Sequence, residues 1–135
     1  MKKITLFLPI LFMSLLFSCK QNGSTIDPEN PLIGIWVYRD YQQISNTEYA
    51  IVYERKSKFD ENNSGIFFKA NNKLIERKNS GWCGTPPISY GEYNGSYSLE
   101  DKKIIADSDG WNGRTIQKYE IISIDDKLLK IKRLN

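Results

Sequence analysis

The sequence predicts an all-β fold, an eight-stranded antiparallel up-and-down barrel. Three observations carry this. From residue 34 onward the chain is a succession of short runs rich in Val, Ile, Tyr, Phe and Trp, bounded by Gly, Asn, Asp or Ser. None of it shows an apolar repeat of helical period. The runs number eight, and closing eight strands into a barrel removes the two exposed edges an open sheet would leave.

The runs are residues 34–42 (GIWVYRDYQ), 48–57 (EYAIVYERKS), 65–70 (GIFFKA), 73–78 (KLIERK), 92–99 (EYNGSYSL), 102–107 (KKIIAD), 114–124 (RTIQKYEIISI) and 127–134 (KLLKIKRL). Asn71-Asn72, Glu100-Asp101 and Asp125-Asp126 supply the turn chemistry between neighbours. Alternation places Trp36, Tyr38 and Asp40 on one face of the first strand and Ile66 with Phe68 on one face of the third. The same rule groups Tyr93, Gly95, Tyr97 and Leu99, and then Leu129, Ile131 and Arg133. A lumen of aromatics with a few polar groups suits a filled barrel or a small pocket.

The first eighteen residues lie outside this domain. MKK is a short basic segment, and residues 4–17 (ITLFLPILFMSLLF) form an apolar stretch too short to cross a bilayer as a helix, the pattern of a secretory signal. It ends Leu16-Phe17-Ser18-Cys19, which resembles the lipobox of bacterial lipoproteins. The resemblance implies cleavage after Ser18, a diacylglyceryl thioether on Cys19 and an acylated (palmitate-type) N-terminus. Several acyl chains anchor a protein stably where one binds reversibly. Residues 19–31 then read as a flexible tether and 32–135 as the domain. Lys20 after the cysteine is not the aspartate that holds lipoproteins in the inner membrane of enteric bacteria. The expected location is therefore the cell envelope, anchored in the outer membrane and facing the periplasm.

Composition excludes several chemistries. The chain has no histidine and two cysteines. With Cys19 lipidated, Cys83 has no intramolecular disulfide partner, and the commonest general base and metal ligand is missing. Loss of Lys2 and Lys3 lowers the net charge from +3 to +1, and the remaining charges are interspersed, which gives no nucleic-acid surface. The expectation is no enzyme, no catalytic residue, no metal and no cofactor.

Gly34-Ile35-Trp36 at the start of the first strand resembles the G-x-W signature of lipocalin-like (calycin-type) barrels, as does the strand count. The resemblance implies that Gly34 lets the chain bend into a barrel floor plugged by Trp36, with a basic residue of the last strand, Arg133, stacked over the indole. It also implies a ligand site within the barrel, for which Tyr38, Phe68, Tyr93 and Tyr97 are the lining candidates.

Two loops invite chemical readings. GWCGTPP (residues 81–87) resembles a thioredoxin WCG-x-C but carries Pro86 where a resolving cysteine is required. It reads instead as a stiff loop whose Trp82 and neighbouring Tyr90 are contact candidates. DSDGWNG (residues 107–113) has alternating oxygens like a calcium loop but Trp111 at a ligand position, so a turn with Trp111 as a contact residue is expected. Glu54, Arg55, Glu76, Arg77 and Lys78 read as surface charge ladders. The expected function is a lipid-anchored binding protein holding a small apolar or amphipathic ligand. The alternative is an interaction or inhibitor module acting on an envelope protein through its barrel-end loops.

Overall fold

The computed structural model describes residues 27, 29–81 and 86–135. They form one closed barrel of eight antiparallel strands. These are β1 (Gly34–Gln43), β2 (Tyr49–Lys56), β3 (Gly65–Phe68), β4 (Lys73–Asn79), β5 (Tyr90–Glu100), β6 (Lys103–Ser108), β7 (Thr115–Ile124) and β8 (Leu128–Leu134). The leader with Cys19, and Trp82 and Cys83 in the 82–85 segment, lie outside the described residues.

The fold class is the one the sequence predicts, with one local departure in its order. Around the barrel the strands run β1-β2-β8-β7-β6-β5-β4-β3, so β1 lies between β2 and β3. From β3 to β8 each strand pairs with its successor. The 57–64 connection instead straps across the outside of β1: Tyr38 N–H donates to Ser64 O at 2.9 Å, and Asn63 Nδ2 donates to Tyr38 O at 2.9 Å. Val37 is 4% exposed, and Phe59 of the strap stands against its register partner Gly65, where a Cβ would meet the ring. The turns follow local chemistry, with Asn71, Asn72 and Asp101 taking positive φ, which Asn and Asp tolerate best.

One layer of side chains fills the lower barrel. Phe68, Leu74, Ile104, Leu129 and Ile131 are fully buried together with Trp36 and Leu32, and Tyr53, Ile66, Tyr97, Ala106 and Tyr119 belong to the same cluster. Phe68 and Tyr97 meet edge to face, ring centroids 4.9 Å apart, the preferred geometry for an aromatic pair.

The floor is built as the G-x-W pattern implies, but with a different basic residue. Trp36 is 0% exposed, and its Nε1 donates to Leu32 O at 2.7 Å, closing the end with the chain that enters the barrel. Arg55 on β2, not Arg133, stacks on the indole, its Cζ 4.1 Å from the ring centroid. Arg55 also donates to Ile33 O at 2.7 Å, Pro31 O at 2.5 Å and Asp126 O at 3.0 Å. Gly34 is required here. It has φ +141°, and a Cβ would collide with Arg55 Nη1. Arg133 pairs in register with Tyr119 toward the other end of β8, beyond reach of Trp36.

Candidate functional site at the end away from Trp36

Alternation continues above the filled layer, and there the lumen turns polar. Glu76, only 6% exposed, points inward from β4 on the face of Leu74, and Ser108 from β6 meets it. Ser108 Oγ donates to Glu76 Oε2, while Lys78 Nζ donates to the same carboxylate at 2.8 Å and to Ser108 Oγ at 2.9 Å. A glycine opposite makes room, because a Cβ on Gly95 would overlap the backbone of Asp107 and Ser108. The charge pattern of the two neighbouring strands reads Glu76 and Lys78 as part of a surface ladder. They instead form an ion pair in which the Glu76 carboxylate is buried and Lys78 is partly exposed, and Lys78 Nζ sits 5.5 Å from the Tyr93 ring. Glu54 lies outside on β2, paired with Lys56 at 2.9 Å.

Tyrosines surround this network. Tyr38 packs on Tyr53 (6.4 Å) and Tyr41 (5.4 Å), and Tyr119 OH donates to Gln117. A bulge between Tyr38 and Asp40 shifts the parity of β1, so Asp40 leaves the face it was expected to share with Trp36 and Tyr38. Burial pushes the Tyr53 and Tyr119 hydroxyls above their ordinary 10.0, with the nearby Glu76 carboxylate adding to the effect in both. A raised folded-state pKa contributes stability below pH 10 that is lost as pH rises, because the unfolded tyrosines ionise first. Unfolding free energy is therefore expected to be flat from pH 8 to about 10 and to fall above it. Tyr119→Phe should reduce the fall by up to about 1.4 kcal/mol per pH unit, measured by urea titrations at stepped pH. An unchanged slope would contradict the burial of this phenol.

Of the ligand-lining candidates, Tyr38 and Tyr93 lie at this polar level, but Phe68 and Tyr97 belong to the packed layer. Four surface cavities, of about 430, 330, 370 and 250 Å³, are lined by none of these four residues. The strongest surface signal lies around the rim. Tyr41 (64% exposed), Tyr49 (54%) and Ile116 (65%), with Ile44, Ile88 and Trp111, all flank the end away from Trp36. Tyr90 is half-buried opposite Asn79 at the same end. Rim charges are largely paired among themselves: Arg114 takes Asp107 at 2.7 Å and Asp109 at 3.7 Å, Arg77 takes Glu92 at 3.2 Å, and Lys132 takes Glu48 at 3.2 Å. Arg114 thus occupies the carboxylates of the calcium-like loop, and among the described residues no His, Cys, Asp or Glu group is placed to hold a metal.

No protein-family model matches the chain, and comparisons with curated proteins and with solved structures give no significant match. The barrel is compatible with a lipocalin-like fold.

Proposed function

We propose that this chain is a lipid-anchored, non-enzymatic envelope protein, a lipocalin-like barrel that binds a protein partner through its open end. The observation that carries the reading is the ring of exposed Tyr41, Ile44, Tyr49, Ile88, Trp111 and Ile116 at the end opposite the plug. Aromatic and branched apolar groups surrounded by charges already in ion pairs match the make-up of a recognition surface. The chain enters at the plugged end, so an anchor on Cys19 in the outer membrane would leave this ring facing the periplasm. The test is photo-crosslinking in intact cells from a benzoyl-phenylalanine placed at Tyr49 or Ile116. A discrete adduct lost on Tyr41→Ala is expected, and the absence of any adduct at both positions would overturn the reading.

A second reading keeps a small ligand but moves it upward. The inward Tyr38, Tyr93 and Lys78 above the filled layer favour a shallow site for a small amphipathic molecule. Equilibrium dialysis of the purified protein against short aryl alcohols would show saturable binding sensitive to Tyr38→Ala.

A further inference from the structure

The plugged end carries an apolar groove that the open-end reading does not use. It encloses about 330 Å³ and is lined by Pro31, Leu32, Leu99, Ile121, Ile122 and Ile124, with polar groups of the adjoining turns at its edge. Leu99 and Ile122 are more than a third exposed beside it. They are large apolar side chains turned to solvent at the end where the domain begins.

We propose that this groove is the membrane-contact face of the protein, seating the barrel on the acyl region of the bilayer that holds its N-terminus. The inference rests on the anchored reading given above. The position of the chain supplies the occupant. Asn30 and Pro31 line the groove, and Cys19 lies eleven residues before Asn30, an extended reach of at most about 40 Å. A lipid surface held that close confronts this end of the barrel before any other. The charges of the neighbouring turns nearly balance: Lys69, Lys73, Lys102, Lys103 and Lys127 stand beside Glu100, Asp101, Asp125 and Asp126. The contact is therefore apolar and does not require anionic headgroups. Two exposed branched side chains and a groove that can take part of an acyl chain give a shallow seating, not an insertion. One consequence for the proposed function is orientation, since a seated barrel holds its open end upright toward the aqueous side.

The experiment uses full-length, lipidated protein in phosphatidylcholine vesicles. Spin labels are placed in a Cys83→Ser background at Ile122→Cys or, at the opposite end, at Ile116→Cys. Collision with oxygen relative to a water-soluble nickel chelate reads the surroundings of each label. The label at 122 is expected to favour oxygen by about threefold or more over the label at 116, and Leu99→Glu should abolish that difference. If the protein floats with the vesicles but both labels report equally aqueous surroundings, the seating is overturned and the anchor stands. If the protein does not float with the vesicles, the anchored reading fails and the seating falls with it.

Discussion

Replacing Trp36 by alanine should cost about 3–5 kcal/mol, the range for deleting a large buried aromatic, and lower the melting temperature by roughly 15–25 °C. That is a large part of the 5–15 kcal/mol a domain of this size holds. The loss has three sources: the indole volume in the packed layer, the Nε1 bond to Leu32 O, and the platform under Arg55. Thermal melts of a short series test the assignment of the floor. Arg55→Met keeps an apolar stem over the ring but removes the guanidinium bonds to Pro31, Ile33 and Asp126, and should cost about 2 kcal/mol. Arg133→Met should stay within about 0.5 kcal/mol. A larger effect at Arg133 than at Arg55 would reverse the assignment.

The second large effect is expected at the buried ion pair. Lys78→Met leaves the Glu76 carboxylate inside the barrel with the Ser108 hydroxyl still donating to it, an uncompensated charge that costs about 3–5 kcal/mol when fully buried. Lys78 keeps a quarter of its side chain exposed, so the lower end of that range applies. Glu76→Gln should cost less, because an amide oxygen still accepts from Ser108 and Lys78 while the partly exposed ammonium is hydrated. The double variant Glu76→Gln with Lys78→Met should recover most of the single Lys78 loss. Equal and additive losses, measured by urea unfolding of the four proteins, would show that the pair is not coupled.

Much of the fold was legible because barrel strands alternate outside the bulges of β1 and β7, and their turns carry Asn, Asp and Gly. The eight runs, the hairpin at Asn71-Asn72 and the inward grouping of Ile66 with Phe68 and of Leu129 with Ile131 all appear in the structure. What pattern could not supply was order around the barrel. The strap over β1 has no local signature, because residues 57–64 look like any polar loop. The floor arginine was misplaced for the same reason. Arg133 has the right parity, but so does Arg55, two residues after the buried Tyr53, and register alone decides between them. The bulge at Tyr38 hid the outward turn of Asp40.

The open end was partly legible. Tyr38, Tyr93, Tyr90 and Trp111 were candidates from composition and position. Glu76, Lys78 and Ser108 were not seen as one network because two strands far apart in sequence bring them together. Parity with Leu74 was the available signal for the first two. Ile44, Ile88 and Ile116 are single apolar residues in polar surroundings, and only the closed barrel gathers them on one rim.

Under the proposals above, the two ends of this barrel are both engaged and its waist is not. Hydroxyl-radical footprinting, comparing the protein in its native envelope with the purified protein in detergent-free buffer, tests this most directly. Protection is expected of Tyr41, Tyr49 and Ile116 at the end away from Trp36 and of Leu99 and Ile122 at the plugged end. Ile105, exposed on the outer wall of β6, should react equally in both. Uniform reactivity at all six positions, or protection centred on Ile105, would contradict it.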